Sequence, residues 1–378
     1  MKKIYLDNSA TTKPYDVVVE ETAGVMAENY GNPSSAHGMG FDSEKIIRDA
    51  REKVSVLIGV SPEEIYFTSG GTEANNWVIT QGISPGKKKR HIITTKTEHP
   101  SILQTCKRME SDQGIEITYL PVDSNGIIDL EKLKENIREE TALVSIMHIN
   151  NETGSIQPIE EIKNIVNPSG AFLHVDHVQG AGKVPISISG IDMLTLSAHK
   201  IHGPKGVGAL YINDKVNIKP LLVGGEQEKG LRAGTENLSG IAGFGAAAEC
   251  ASKEISSSYK KLTALKDLLV RNITDFRGVH FNSPTAGGAP HILNIFFEGV
   301  EKSELLIRVL ETHGVYVSSG SACHSRRPEL SHVLKAMGLK DEVIQGSIRI
   351  SFSVLNTEEE IGEAWELIKK AVAEVRQL

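Results

Sequence analysis

The segment from Thr195 to Leu210 reads Thr-Leu-Ser-Ala-His-Lys-Ile-His-Gly-Pro-Lys-Gly-Val-Gly-Ala-Leu. An apolar strand pattern runs into Ser197, His199 and Lys200, and a second apolar strand pattern follows a turn. Glycine and proline between the two runs are typical of such a turn. The pattern therefore predicts that Lys200 lies in a turn at the edge of a sheet and not on a solvated helix.

Similar short apolar runs recur through the first two thirds of the chain, and stretches of helical length separate most of them. Runs rich in Ile, Val and Leu in this arrangement predict an α/β fold whose mainly parallel sheet is covered by helices on both faces. Ligands of such sheets bind beyond the carboxyl ends of the strands. The seven predicted strands are Glu64–Thr68, His91–Thr95, Ile115–Leu120, Ala142–His148, Ala171–Asp176, Met193–Ser197 and Gly208–Ile212.

A second, smaller unit follows a long helical stretch. Asn237–Phe276 begins Gly- and Ala-rich, which suits close packing, and then becomes amphipathic. A last helix is predicted at Thr357–Val375, where Thr357 and Glu360 form a capping box. We expect a large α/β domain over residues 13–255 and a smaller α+β domain from residues 1–12 and 256–378. Further strands are predicted near His291–Phe297, Val315–Ser318 and Ser347–Ser353.

Composition excludes several classes of protein. The 378 residues are 39% hydrophobic and 24% charged, which allows a packed core and excludes wholesale disorder. The net charge of −7 gives no overall attraction to nucleic acid or anionic membranes. No apolar run approaches the ~20 residues of a membrane helix, and the N-terminus lacks a signal-peptide pattern. Three distant cysteines without a C-x-x-C motif favour a reducing, cytoplasmic location.

The predicted place of Lys200 raises the question of its chemistry. A lysine acts as a nucleophile when it condenses with an aldehyde cofactor, of which pyridoxal phosphate is the usual one. The pyridine nitrogen of that cofactor needs a carboxylate, and Asp176 ends a predicted strand. Taken singly, the two residues also fit a surface lysine beside a glycine turn and an aspartate that caps a helix.

The other groups of the cofactor have candidate partners too. Ser69-Gly-Gly-Thr72 connects a strand to a helix and could hold a phosphate, although it lacks the P-loop lysine and the dinucleotide glycine spacing. His99 follows a strand and offers a flat face, and Asn150–Gly154 supplies a donor for the ring hydroxyl. Each feature alone is common. All five come at predicted strand ends, which is hard to explain by capping alone.

A metal site is the main alternative at these positions. Strand alternation places His174 and Asp176 on one face and His177 on the other. A third ligand would have to come from His199 or His202. Because no H-E-x-x-H motif or cysteine pair supports such a site, we favour the hypothesis that the site holds no metal ion.

The sequence resembles the cysteine desulfurases, which belong to the class V aminotransferases and have the fold type I of pyridoxal-phosphate enzymes. The similarity covers almost the whole chain, and the serine-rich loop with Cys323 separates desulfurases from aminotransferases of the same fold. The long loop after Cys323 resembles the housekeeping, iron–sulfur branch. The matching motifs are Tyr5–Thr12, Gly31–Ser35, Thr68–Asn76, Met147–Gly154, His174–Gly182, Ser197–Gly208, Arg232–Thr235, Val317–Cys323 and Ser347–Ser351.

The resemblance implies a role for each matching residue. Lys200 would carry pyridoxal phosphate, Asp176 would pair with the pyridinium, and His99 would stack on the ring and assist proton transfer. Thr235 would reach the phosphate of the neighbouring subunit, which implies a homodimer. Arg349 would hold the substrate carboxylate, and Asn32 is a further candidate for that task. The remaining cofactor contacts would be Asn151 and Gln179 at the ring hydroxyl, and Gly71, Thr72, Ser197 and His199 at the phosphate.

Cys323 is the predicted nucleophile for sulfur. Its Ser/Gly-rich surroundings suggest a flexible loop, and the arginines at 326 and 327 favour the thiolate. An ordinary core cysteine is the alternative, and Cys106 and Cys250 fit that description better. The family implies that Cys323 takes sulfur from L-cysteine, leaves L-alanine, and passes the persulfide to an acceptor such as an iron–sulfur scaffold or a tRNA-thiolation enzyme. Cys323 could also transiently ligate a cluster shared with a scaffold.

Three other functions stay open at this point. A selenocysteine lyase uses the same scaffold, a class V aminotransferase would need a keto acid acceptor, and a non-catalytic scaffold could keep the fold. Lys200, Asp176 and Cys323 together argue against the last of these. The sequence does not distinguish the acceptors of sulfur from one another.

Overall fold

A computed structural model describes residues 2–82, 90–319 and 330–377 of the chain. The strands in these ranges are β1 (Ile4–Tyr5), β2 (Ile65–Thr68), β3 (His91–Thr95), β4 (Glu116–Leu120), β5 (Thr141–Met147), β6 (Phe172–Asp176), β7 (Met193–Ser197), β8 (Gly208–Ile212), β9 (Val279–Phe281), β10 (Ile292–Phe297), β11 (Val315–Tyr316) and β12 (Ser347–Ser351). The helices are α1 (Asp16–Glu28), α2 (Gly38–Ile58), α3 (Gly71–Gln81), α4 (Pro100–Gln113), α5 (Leu130–Asn136), α6 (Ile159–Val166), α7 (Leu238–Thr274), α8 (Ser303–Thr312), α9 (His332–Ala336), α10 (Asp341–Gly346) and α11 (Glu358–Val375).

Seven of the described strands form one central sheet in the order β2-β8-β7-β6-β5-β3-β4. Strands β3 to β7 pair in parallel, and β8 runs antiparallel to both β7 and β2. Every residue of β5 and β7 is buried, as expected of strands with helices on both faces. The predicted α/β fold with a mainly parallel sheet is confirmed.

The helices on the two faces of the sheet enclose separate apolar clusters. One contains buried residues of α2 and of the first half of α7, and the other contains residues of α3 and α4. The Gly/Ala-rich start of α7 brings it close to α2, since a Cβ at Gly245 would lie 2.8 Å from Ala50. This close approach explains the sequence bias at the start of the helix.

The second unit has its own core. Strands β12, β10 and β9 form an antiparallel sheet, and β1 pairs with β11. The second half of α7, with Leu262, Leu265 and Leu269, packs there together with residues of α8 and α11. The domain boundary near residue 255 stays a prediction. It falls between Ala251, in the core of the central sheet, and Leu262, in the second core.

Element ends differ slightly from the predicted ones. Glu64 belongs to a short 3₁₀ turn whose cap is Ser61, and His148 lies beyond the end of β5. The capping box at Thr357 is confirmed, with the Glu360 amide donating to Thr357 Oγ1 at 3.1 Å. Strands β1 and β9 were not predicted, because they are short and only partly buried. Within the described ranges, no helix has the length and apolar character required to cross a bilayer.

Candidate active site

A cavity of about 320 Å³ opens at the carboxyl ends of the central strands, with residues of the second unit on its other side. The strand register brings the ends of β5, β6 and β7 to one edge, since Met147 is opposite Asp176 and Asp176 is opposite Thr195. Ten of the predicted site residues line this cavity: Gly71, Thr72, His99, Asn151, Asp176, Gln179, Ser197, His199, Lys200 and Arg349.

Lys200 ends a short turn, Ala198–Lys200, that directly follows β7. Its Nζ donates to the main-chain carbonyls of Ser9 at 2.5 Å and Ala10 at 2.9 Å, so the N-terminal segment forms one wall of the site. The next residues are held by that segment as well. His202 has a φ of 65°, and its Nδ1 donates to the Lys13 carbonyl at 2.7 Å. The predicted position of the lysine, in a turn at the sheet edge, is confirmed.

Asp176 ends β6 and is buried beside α3. Its Oδ2 accepts from Asn75 Nδ2 at 2.7 Å, and its Oδ1 accepts from the Val178 amide at 3.0 Å. Two donors therefore fix the carboxylate in one orientation at the floor of the cavity. A carboxylate held in this way can pair with a protonated ring nitrogen.

A hydrogen-bonded chain connects Asp176 to His99. Asn75 Nδ2 also donates to Ser101 Oγ at 2.9 Å, and that oxygen lies 2.8 Å from His99 Nδ1. His99 caps α4, since its Nδ1 accepts from the Ser101 amide at 3.1 Å. With Nδ1 as an acceptor, the proton of the neutral ring is on Nε2. Sequence reasoning missed Asn75 and Ser101, although Asn75 lies three residues after Thr72 and so shares its side of α3.

The start of α3 is suited to an anion. Gly70, with a φ of 148°, leads into Gly71 and Thr72 at the first turn of the helix, where backbone N–H groups are unpaired. A Cβ at Gly71 would lie 3.0 Å from Val178 and 3.8 Å from Ser197, so only glycine leaves this space open. Burial and nearby lysines, Lys200 first, lower the pKa of His199 to about 3, which keeps this imidazole neutral.

The loop after β5 contains two adjacent asparagines, of which one stabilises the turn and the other faces the cavity. Asn150 Oδ1 accepts from the amides of Glu152 at 2.9 Å and Thr153 at 3.0 Å and so fixes the turn. Asn151 lines the cavity instead. Gln179 Nε2 donates to the Ser9 carbonyl at 2.9 Å, while its Oε1 is buried with no partner among the described residues. An orphaned polar atom of this kind indicates a missing partner at the site.

Arg349 is the buried cation on the far side of the cavity. Its side chain is 1% exposed, and its Nη2 donates to Asp7 Oδ1 at 2.7 Å. Nη1 donates to the Asn151 carbonyl at 2.8 Å. The guanidinium is therefore already oriented at the junction of the two units, where it can hold a carboxylate.

Three predicted residues are not among those that line this cavity. Thr235 is exposed and lines a separate cavity with Arg232, and Asn32 is exposed and accepts from the Ser34 amide at 2.9 Å. Cys323 lies outside the described residues. Their roles stay predictions.

The histidines considered for a metal have other partners. His174 lies between Ser145 Oγ at 2.8 Å and Thr195 Oγ1 at 2.9 Å, and His177 Nδ1 lies 2.9 Å from His148 Nδ1. Burial lowers the pKa of His174 to about 3. In the part of the chain that the structure describes, no group of three or more His, Cys, Asp or Glu side chains could hold a metal ion.

Comparisons with known proteins agree with this geometry. Residues 4–363 match the family model described as Aminotransferase class-V. A cysteine desulfurase of Nostoc sp. is 46% identical over 100% of this chain and 95% of its own length, and the cysteine desulfurase IscS of Methanosarcina thermophila is 44% identical over 100% and 94%. A solved NifS-like protein superimposes with a TM-score of 0.92 at 42% identity, covering 99% of this chain and 100% of its own. A second structure, SspA in complex with cysteine, has a TM-score of 0.82 at 33% identity over 94% and 100%.

Proposed function

This chain belongs to the class V aminotransferase family and is a pyridoxal-phosphate-dependent cysteine desulfurase, and we propose that Lys200, Asp176, His99, Arg349 and Cys323 carry out its reaction on L-cysteine. One observation carries the assignment of the site. Asp176 ends β6, Lys200 ends the turn after the neighbouring parallel strand β7, and both line one cavity that also contains the start of α3. A lysine, a fixed carboxylate and an anion site at this spacing suit the aldehyde, ring nitrogen and phosphate of one cofactor molecule.

The residues present fit the cofactor. Gly71, Thr72, Ser197 and His199 would hold the phosphate at the start of α3, and Asp176 would hold the ring nitrogen. Asn151 and Gln179 would bond the ring hydroxyl, which gives the orphaned Gln179 Oε1 a neighbour. When bound, pyridoxal phosphate supplies a cationic ring that withdraws the electrons left at the substrate Cα.

The protein's own groups would bind the substrate and move its protons. Arg349 would hold the carboxylate of L-cysteine, sharing its guanidinium with Asp7. Lys200 Nζ, when it is not bonded to the cofactor, would take the Cα proton as a general base. His99 Nε2, whose tautomer is fixed by the contacts of Nδ1, would exchange a proton with the substrate thiol.

Cys323 would complete the sulfur transfer. Its thiolate attacks the substrate sulfur, and a new S–S bond forms as the Cβ–S bond breaks. The electron pair of that bond stays on Cβ, which is protonated and gives alanine. The persulfide on Cys323 then passes its outer sulfur to an acceptor, for which we propose an iron–sulfur scaffold or a tRNA-thiolation enzyme. Cys106 and Cys250 are free thiols, which suits the cytosol as the compartment.

We also propose that the enzyme is a homodimer whose sites are shared. Thr235 is exposed on its own subunit and lines a cavity other than that of Lys200, so a role at a phosphate requires a second copy. Large apolar side chains are exposed in the segment after α1 and in the loop before Thr235, where Tyr30 is 75% and Val223 is 87% exposed. Surfaces of this kind suit an interface between copies.

Sharing of the sites predicts that two defective variants complement each other. In a mixed dimer of Lys200→Ala and Thr235→Ala chains, one site has both native residues and the other has neither. Random mixing should therefore restore roughly one quarter of the active sites. Activity is measured at limiting cofactor before and after subunit exchange, with each variant alone as the control. Mixed dimers without recovered activity, or a fully active Thr235→Ala enzyme, would contradict the shared site.

The proposed function is tested by counting products. Purified enzyme with pyridoxal phosphate, L-cysteine and a reductant should release alanine and sulfide in a one-to-one ratio, with a change in the visible spectrum on adding cysteine. Selenocysteine and keto acids are the comparison substrates. Much faster turnover of selenocysteine would favour the lyase, and transamination without sulfide would favour an aminotransferase. An enzyme that binds no cofactor would favour a non-catalytic scaffold.

A further inference from the structure

A second lysine contacts the backbone of the turn that carries Lys200. Lys183 belongs to the loop after β6, and its Nζ donates to the main-chain carbonyl of Lys200 at 2.6 Å. The residue is only 6% exposed. Lys183 thus contacts the backbone of Lys200 and is not one of the residues that line the cavity.

The surroundings of Lys183 contain several basic groups and no salt-bridge partner among the described residues. A small void beside it is lined by Tyr15, Cys250 and Glu254. A buried ammonium without a carboxylate partner is costly, so such a group is seldom kept in a core without a reason. The basic groups that interact electrostatically with Lys183 are Lys200 and four histidines whose pKa burial lowers, His177, His199, His202 and His291.

We propose that Lys183 is a positioning residue for Lys200. Its N–H holds the carbonyl of Lys200, and its charge disfavours a second positive charge on the Lys200 nitrogen. This inference rests on the proposed role of Lys200. The physical basis is that two cations near each other in a poorly solvated environment oppose each other's protonation. In agreement, burial, followed by repulsion from Lys200, lowers the pKa of Lys183 to about 7.

Lys266 provides a matched control. It is also buried, and its Nζ donates to two main-chain carbonyls, those of Pro284 at 3.1 Å and Ala289 at 3.0 Å. Burial lowers its pKa to about 8. It lies in α7 between Leu265 and Leu269 of the second core, and the two carbonyls that it holds are not in the turn of Lys200, so a purely structural effect of losing a buried amine would be common to both lysines.

The test compares Lys183→Met and Lys266→Met as holoenzymes without substrate. The midpoint pH at which the visible band of the bound cofactor changes should rise by about one unit or more in Lys183→Met. It should stay at the wild-type value in Lys266→Met. Lys183→Arg, which keeps a charged donor, should restore a midpoint near that of the wild type. An unchanged midpoint in Lys183→Met, or an equal rise in Lys266→Met, would overturn the inference.

Thermal unfolding of the cofactor-free chain supplies a second readout. The pKa of Lys183 is lower in the folded chain than its ordinary value of 10.5, so the unfolded chain binds more protons between about pH 7 and 10.5. Wild-type stability therefore gains from rising pH across that window, and Lys183→Met should lose this gain. The variant should be the more stable protein below pH 7, and the difference should shrink towards pH 10. A pH dependence identical to that of the wild type would show that the buried amine is not strained.

One further variant keeps the test decisive. If Lys183→Met does not fold, Lys183→Gln retains an N–H donor without the charge and should show the raised midpoint, whereas an unchanged midpoint would refute the charge effect. Failure of the proposed function has a different outcome. In that case the wild-type protein would show no visible band with pyridoxal phosphate, whereas failure of this inference leaves the wild-type band intact.

Discussion

Replacing Lys200 by alanine is expected to abolish the visible colour of the enzyme and to lower alanine formation by about 10⁴-fold or more. Both functions proposed for Lys200 would be lost together, the covalent hold on the cofactor and the general base at Cα, and the second alone contributes about 10²–10⁴-fold. The fold should survive, because Lys200 is only partly buried and its Nζ contacts main-chain carbonyls of the N-terminal segment.

The matched control is Lys205→Ala, which removes an exposed lysine from the same turn. It should keep both colour and turnover. Visible absorbance after reconstitution and the rate of alanine release measure the two functions separately, and circular dichroism checks the fold. A Lys200→Ala enzyme that still released alanine and sulfide at the wild-type rate would disprove the role of this lysine and, with it, the proposed site.

The fold could be predicted because the apolar strand runs and the helical stretches between them both indicate an α/β protein. Buried parallel strands are continuous apolar runs, so β5 and β7 were recognisable without knowledge of their neighbours. The order of strands in the sheet was not predicted, because it depends on long-range pairing. The short strand β9 was missed, since a half-exposed edge strand has little apolar pattern.

The site could be predicted where a side chain lies at the end of a strand or in the turn that follows it. Lys200 and Asp176 are of this kind, since the end of a parallel strand already determines the edge at which they lie. Asn75 and Ser101, which link Asp176 to His99, were missed because a polar residue in the first turns of a helix is common. The contact of Lys200 with Ser9 joins residues 191 positions apart, and no local pattern predicts it.

The surroundings of the other residues depend on burial, which the sequence pattern did not predict. A lysine in the sequence is expected at the surface, and only tertiary packing brings Lys183 into contact with the carbonyl of Lys200. The choice between Asn150 and Asn151 depends on the same kind of information. The first is used by the turn and the second lines the cavity, although both have the same side chain.

Cys323→Ala is expected to stop sulfide production while leaving the cofactor in place. The thiolate is the reactive form of cysteine, and the two other cysteines of the chain are poor candidates for it. Burial raises the pKa of Cys106 to about 12, so this thiol stays protonated. Burial also raises the pKa of Cys250, which lies in α7 beside the small void next to Lys183. Turnover should fall by roughly 10³-fold or more, the scale seen when a nucleophile is removed.

The spectral change on adding L-cysteine separates this effect from a loss of binding. It should persist in Cys323→Ala, because Arg349 and Lys200, in their proposed roles, would still hold and deprotonate the substrate, whereas no persulfide should form. Trapping of the persulfide by alkylation and mass spectrometry identifies the modified residue. Cys250→Ala is the matched control and should keep both sulfide release and the persulfide. Sulfide release at the wild-type rate by Cys323→Ala would mean that another group accepts the sulfur, because the reaction balances only if a nucleophile takes the sulfur as the Cβ–S bond breaks.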